Sequence, residues 1–110
     1  MKHPVLYGVY LAKFPFLDTN ESKIRPVIVV GSPVGDFGIT AIVPVSSRLE
    51  KQSVDHELLN WNEAGLLKPS VARVHRISTI TQENLDAYLG RLSEQDVKSL
   101  KSALAKLLSL

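Results

Sequence analysis

The apolar positions of this chain follow two different spacings, which divide it into a strand-rich body and a helical end. From Val5 to Leu92 the apolar residues occur in short runs rich in β-branched and aromatic side chains, which is typical of strands. From Val97 to Leu108 they recur every three or four residues, which places them on one face of a helix. The pattern therefore predicts several short strands followed by one closing helix.

Six segments have the length and composition of strands, and loops rich in Gly, Pro, Ser or charged residues separate them. They are Val5–Phe14, Ile24–Gly31, Ile39–Val45, Val54–Leu59, Val71–Ile80 and Ala87–Leu92. Pro15 marks the end of the first strand, and the turn-forming residues 32–38 predict a hairpin between the second and the third. A single helical turn is expected over Gln82 to Asp86, after a Thr81 cap.

The last segment is the clearest element in the sequence. Ser93 is a residue type that caps helix N termini, and Asp96 three positions later gives a variant of the capping box. Glu94 and Asp96 also place negative charge at the positive end of the helix dipole. This helix is expected to dock on the sheet through one apolar stripe. The stripe consists of Val97, Leu100, Leu104, Leu107 and Leu108.

The order of these elements favours a mainly β fold with helices: a small, partly closed barrel with a C-terminal amphipathic helix, rather than a βαβ fold. A length of 110 residues suits a single domain over residues 1–110, and 45% hydrophobic residues can supply its core. There are no internal repeats.

The composition excludes several kinds of functional site. The chain has no cysteine, which excludes disulfides, thiolate metal sites and a cysteine nucleophile. Its three histidines lack metal-ligand spacing, and its glycines form no phosphate-binding loop, so we expect neither a metal nor a cofactor. No apolar run approaches the roughly 18 residues of a membrane span, and the first residues do not have the pattern of a signal peptide. We therefore expect a cytoplasmic protein without a membrane partner.

A net charge of +2 permits an anionic partner without requiring one, so individual residues carry the functional argument. Arg73 and His75 are two positions apart on a predicted strand, which places them on one face. Imidazole titrates near neutrality and can accept a proton from a ribose hydroxyl, while guanidinium offers forked donors to phosphate. Basic residues on an exposed strand face are also common without any function.

Other candidates stand where strands meet loops. Arg25 begins a strand two residues after Lys23, and such junctions combine a fixed position with access. The hydroxyls of Ser46 and Ser47 could donate to a phosphate or satisfy turn backbone.

Asp55, His56 and Glu57 cluster on a predicted strand, but strand alternation splits His56 from both carboxylates. We interpret these three residues as a solvated strand face.

Five short segments, spread along nearly the whole chain, can be compared in content and order with those of known families. They are Phe14-Pro15-Phe16, Ser22 to Val30 with its Arg-Pro pair, Val43-Pro44-Val45-Ser46-Ser47, Gly65 to Ser70 and Leu89-Gly90-Arg91-Leu92-Ser93. Together they resemble the MazF/PemK family of toxins from bacterial toxin–antitoxin systems. The resemblance implies an SH3-like barrel, usually a homodimer, that cleaves single-stranded RNA and is silenced by a cognate antitoxin.

The resemblance also implies roles for individual residues. Arg25 falls on the family's catalytic arginine, and Ser46 falls where a threonine is usual. Three positions depart from the family pattern, so the proton carriers here need not be those of the family. Tyr7-Gly8 stands where Gly-Asp is frequent, His75 stands where many members have an acidic residue, and the loop of residues 17–23 lacks a histidine.

The sequence therefore predicts a metal-independent endoribonuclease that leaves a 2′,3′-cyclic phosphate and a 5′-hydroxyl. The predicted catalytic residues are Arg25, Ser46, Arg73 and His75, and the predicted RNA-binding residues are Lys23, Ser47 and Arg76. His75 would take the 2′-hydroxyl proton and the arginines would stabilise the phosphorane, although the resemblance also allows Arg25 as a general acid.

Two alternatives remain at this stage. The same barrel could bind RNA or a peptide without cutting it. It could also be a gyrase poison of the CcdB type, members of which have a tryptophan near the chain end. The only tryptophan here is Trp61, far from that end.

Overall fold

The computed structural model describes residues 3–15 and 22–110 and, at residues 14, 15, 22 and 23, the backbone alone. Of the predicted polar loop of residues 17–23, residues 17–21 lie outside these ranges, whereas residues 22 and 23 begin a strand, Ser22–Val29. Within the described ranges, seven strands, two 3-10 turns and one helix follow one another. They are β1 (Gly8–Pro15), β2 (Ser22–Val29), β3 (Ile39–Ser46), β4 (His56–Glu57), β5 (Val71–Ala72), the first 3-10 turn (Val74–Arg76), β6 (Ser78–Thr81), the second 3-10 turn (Gln82–Asn84), β7 (Leu85–Arg91) and α1 (Glu94–Leu108).

The strands form one antiparallel sheet in the order β4-β5-β3-β2-β1-β7, with β6 also pairing with β3. β3 is central because β2 lies along one of its edges, while β6 and β5 share the other. Within the described ranges the sheet does not close, and all strand pairings are antiparallel. The predicted mainly β fold with a C-terminal helix is confirmed.

The expectation of one continuous strand over Val71–Ile80 is wrong. β5 pairs with the end of β3 and β6 with its beginning, so the chain must turn between them. The backbone N–H of Arg73 donates to the Pro44 carbonyl, and a 3-10 turn follows. Arg73 and His75 are therefore not on one strand, so strand alternation does not place their side chains on the same face. Likewise, only His56–Glu57 of the predicted strand Val54–Leu59 forms a strand.

Apolar residues are buried on both faces of the sheet, which explains why β2 and β3 contain continuous apolar runs. On one face Val9, Ile28 and Val43 pack in a cluster that includes Val97 and Leu100 of α1. On the other face a second cluster forms without the helix. Its buried members are Tyr10, Ala12, Val27, Val29, Ile42 and Ile80.

The helix begins and docks as predicted. Ser93 is its N-cap, and the Ser93 hydroxyl accepts the backbone N–H of Asp96 at 3.2 Å. Val97 and Leu100 are buried against the sheet, whereas Leu108 is 52% exposed and does not belong to the docked stripe. No helix in residues 3–15 and 22–110 is long and apolar enough to cross a membrane.

Candidate active site

Strand register brings Arg25 and Ser46 to the same side of the sheet. The pairing of β2 with β3 ends at Val27 and Pro44. Arg25 and Ser46 each lie two residues beyond this last pair, so strand alternation puts their side chains on the same side as that pair. Arg25 is exposed, and its neighbour on β1, Ala12, has a side chain too small to cover it.

The Ser46 hydroxyl takes part in a local turn. Its Oγ accepts the backbone N–H of Arg48 at 3.1 Å, which is the turn interaction that the sequence allowed. A hydroxyl has one hydrogen and two acceptor lone pairs, so this bond leaves the Ser46 hydrogen available to a ligand. Ser47, the next residue, is exposed.

The Arg73 side chain mainly makes contacts within the protein. Its guanidinium donates to the backbone carbonyls of Arg48, at 2.5 Å, and of Glu50. The same group lies 3.5 Å from a carboxylate oxygen of Asp55, and the side chain is only 14% exposed. Most of its donors are thus committed to the loop between β3 and β4, which limits how far Arg73 can reach towards a substrate.

His75 lies beside the same carboxylate. Its Nδ1 is 2.7 Å from Oδ1 of Asp55, and its backbone N–H donates to that oxygen at 3.2 Å. The Asp55 side chain has no exposed surface, whereas that of His75 is 36% exposed. The structure therefore brings Arg73 and His75 together through Asp55, by a route different from the one that the sequence predicted.

The environment of Asp55 favours its charged form. Burial alone would raise the pKa of this carboxyl group, but the hydrogen bond with the His75 ring lowers it, as do the backbone N–H groups of Gln52 and His75. The net pKa of Asp55 lies below its ordinary value of 3.8. At neutral pH Asp55 is consequently an anion that can only accept hydrogen bonds.

Sequence reasoning missed Asp55. The predicted separation of His56 from the neighbouring carboxylates is confirmed, since His56 contacts Asp96 instead, but the interpretation of Asp55 as part of a solvated face is wrong. Asp55 and His75 are 20 residues apart and meet only because of the 3-10 turn. Correlated substitution at the two positions in related sequences would have been the signal that pairs them.

Two further arginines lie next to the candidate residues along the chain. Arg76, in the 3-10 turn, and Arg48, after β3, are both exposed, and Arg48 was not singled out from the sequence. The side chain of Lys23 lies outside the described part of the chain.

The candidate residues lie on different elements. Ser46 pairs with Val71 of β5, whereas Arg25 lies on β2, which pairs with β3 as far as Val27 and Pro44. No group of three or more His, Asp or Glu side chains in the described ranges is arranged to hold a metal ion.

Comparison with known proteins adds the family. The profile of the PemK-like, MazF-like toxins of type II toxin–antitoxin systems matches residues 7–108. No curated protein sequence matches the chain.

Several solved structures share the fold. An endoribonuclease from Mycobacterial species superposes with a TM-score of 0.75 at 18% identity, covering 100% of this chain and 95% of its own. Mycobacterium tuberculosis toxin MazF-mt6 gives 0.70 at 20% identity, covering 94% and 97%. A MazE–MazF structure from Deinococcus radiodurans gives 0.70 at 16% identity, covering 96% and 94%. With the family profile matching almost end to end, this chain belongs to the PemK-like, MazF-like toxins of type II toxin–antitoxin systems.

Proposed function

We propose that this toxin is an endoribonuclease that cleaves single-stranded RNA by attack of a ribose 2′-hydroxyl on its own 3′-phosphate. The observation that carries the proposal is the accessible imidazole of His75, which is held by Asp55, a carboxylate that Arg73 also contacts. It is supported by the exposed Arg25 on β2 and by the Ser46 hydroxyl at the end of β3. This set combines an exposed cation, a free hydroxyl hydrogen and an accessible imidazole, which suit a phosphodiester. Solved relatives of the same fold are named endoribonucleases.

The reaction needs one proton acceptor and charge stabilisation. Nε2 of His75 takes the 2′-hydroxyl proton as the 2′-oxygen bonds to phosphorus. Arg25 and the Ser46 hydroxyl stabilise the phosphorane oxygens. Arg73, which contacts Asp55, adds positive charge close to His75. The bond from phosphorus to the 5′-oxygen then breaks, and that oxygen takes a proton from solvent because a guanidinium holds its protons too tightly to be a good donor.

We expect RNA to contact cations that stand near the catalytic residues in the sequence. Lys23 and Arg76 flank the catalytic residues in sequence, and Arg48 and Ser47 follow the end of β3. Contacts from such groups to phosphates are independent of base sequence and weaken with salt. We therefore assign these residues to binding rather than to proton transfer.

Two variants and one control test the enzyme directly. Purified Arg25→Ala and His75→Ala should each lose cleavage of a defined single-stranded RNA, whereas Lys98→Ala, on the exposed side of α1, should cleave normally. Equal cleavage by all three would reveal a contaminating nuclease. If both site variants bind RNA like the wild type, and the wild type never cuts, the barrel is a binding module.

The mechanism as written uses no metal ion. Cleavage by the purified protein should continue at full rate in excess EDTA. Abolition by EDTA, with recovery on adding Mg²⁺, would replace this mechanism with a metal-assisted one.

We further propose a cognate antitoxin and a second copy of the chain as partners. One solved relative is an endoribonuclease in complex with its cognate antitoxin. Co-expression with the product of a neighbouring small open reading frame should suppress RNA cleavage. Light scattering on the purified toxin should give twice the 12.1 kDa chain mass, and a monomer would remove the dimer from the proposal.

A further inference from the structure

Building on the proposed role of His75, we propose that Asp55 is a positioning residue that holds the imidazole with its proton on Nδ1 and presents Nε2 to the RNA. The pair joins two segments, since Asp55 precedes β4 and His75 lies in the first 3-10 turn.

Two contacts from one residue fix the geometry. Oδ1 of Asp55 lies 2.7 Å from Nδ1 of His75 and also accepts the His75 backbone N–H at 3.2 Å. A single oxygen that binds both the ring and the backbone restrains the ring relative to its own main chain. Rotation of the imidazole would break the shorter of these bonds.

The carboxylate is itself held in place. Oδ2 of Asp55 accepts the backbone N–H of Gln52 at 3.0 Å and lies 3.5 Å from the Arg73 guanidinium. Within the described ranges, Arg73 and His75 are the charged or titratable groups in contact with Asp55. Because both oxygens are engaged and the side chain is fully buried, Asp55 is preorganised before any RNA binds.

Charge decides which nitrogen carries the proton. The lowered pKa of Asp55, which burial opposes and hydrogen bonds from His75 and Gln52 produce, keeps the carboxylate without a proton at neutral pH. An unprotonated carboxylate can only accept, so Nδ1 of His75 must be the donor. In the neutral ring this leaves a lone pair on Nε2, and the adjacent anion stabilises the imidazolium that forms when Nε2 takes a proton.

A second pair in the same protein provides a matched control. Asp96 and His56 also form a carboxylate–imidazole contact, at 2.9 Å, but there Nε2 is the bound nitrogen. The His56 side chain is 17% exposed, less than half the exposure of His75. Its Nε2 is therefore unavailable to a substrate.

The first test is independent of RNA cleavage. Nitrogen-15 NMR of the imidazoles in the full-length wild type should show His75 in the Nδ1–H form at a pH where the ring is neutral. In Asp55→Asn the ring should lose this preference, because the side-chain amide can also donate a hydrogen bond to Nδ1. A wild-type His75 in the Nε2–H form overturns the proposal, even if the variant fails to fold.

The second test uses the pH profile of cleavage. In Asp55→Asn kcat/KM should fall by about 10-fold or more, and the acidic limb of its profile should move to lower pH. Asp96→Asn, assayed at a temperature where circular dichroism shows it folded, should keep the wild-type limb. An unmoved limb in Asp55→Asn refutes the positioning role, whereas undiminished cleavage by His75→Ala refutes the proposed function and leaves the NMR result standing.

Discussion

Two neighbouring residues, Asp55 and His56, each form a carboxylate–imidazole pair, and the two pairs differ in what surrounds them. Asp55 reaches His75 in the 3-10 turn, and His56 reaches Asp96 in the first turn of α1. Both carboxylates are fully buried, but the imidazole of the first pair is 36% exposed and that of the second 17%. The same two side-chain types thus leave an accessible imidazole in one place and form a structural connection in the other.

The second pair connects the helix to the loop after β4. Asp96 accepts the backbone N–H groups of Leu59 and Asn60, both at 2.9 Å, in addition to His56. Burial would raise the pKa of Asp96, but these backbone N–H groups, followed by the hydrogen bond and charge of His56, lower it. The ionised carboxylate of Asp96 therefore accepts hydrogen bonds from groups that would otherwise be buried without a partner.

The largest expected difference between the pairs is in catalysis. His75→Ala should reduce the RNA cleavage rate by about 10²- to 10⁴-fold because it removes the general base. His56→Ala should leave the rate within about threefold at a temperature where the protein is folded. Single-turnover cleavage of one fluorescent oligonucleotide measures the rates of both variants. Equal losses of rate would contradict the assignment of different roles to the two histidines.

Stability should show the opposite order. Asp96→Ala leaves two backbone N–H groups and a histidine without their acceptor, so the free energy of unfolding should fall by about 3 kcal/mol. His75→Ala, at a partly exposed side chain, should change it by less than about 1 kcal/mol. Urea denaturation followed by circular dichroism compares them, and a His75→Ala loss as large as that of Asp96→Ala would contradict the account.

Acid should remove the contribution of Asp96. Because the folded pKa of Asp96 lies below the ordinary 3.8, its stabilisation is fully present above that value. It is lost as pH falls through the lower folded pKa. The difference in unfolding free energy between the wild type and Asp96→Asn should therefore shrink as the pH falls below 3.8. A difference that grows as the pH falls below 3.8 would reverse the assigned sign.

The smallest effect is expected at Ser46. In the proposed mechanism its hydroxyl donates to a phosphate oxygen while it accepts the Arg48 N–H, so Ser46→Ala should lower kcat/KM by about 10-fold, the usual scale for one hydrogen bond. Ser46→Thr keeps the hydroxyl and should retain most activity. Wild-type activity in Ser46→Ala would assign the hydroxyl to the turn alone.

Local signals in the sequence predicted most of the fold. The β-branched runs of β2 and β3 and the turn residues between them predicted the hairpin, and Ser93 with Asp96 predicted the start of α1. These features depend on residues a few positions apart. The prediction of one continuous strand over Val71–Ile80 failed because the structure of this segment depends on β3. One edge of β3 pairs with both β5 and β6, so the chain must turn between them.

The site was less predictable for the same reason. Arg25 and Ser46 could be singled out because strand ends and the family resemblance mark them. The contacts of Asp55 and Asp96 span 20 and 40 residues, and no periodicity in the chain encodes such pairs. Asp96 was correctly predicted at the helix start, but its bonds to the loop after β4 required the tertiary structure.

The central claim is that His75 takes the proton of an attacking 2′-hydroxyl, and the ends of the cut RNA test it most directly. Purified wild type in EDTA should leave a 2′,3′-cyclic phosphate and a 5′-hydroxyl, and a single 2′-deoxy substitution at the cleaved nucleotide should stop the reaction. A 5′-phosphate on the product, or undiminished cleavage of the 2′-deoxy substrate, would contradict the mechanism.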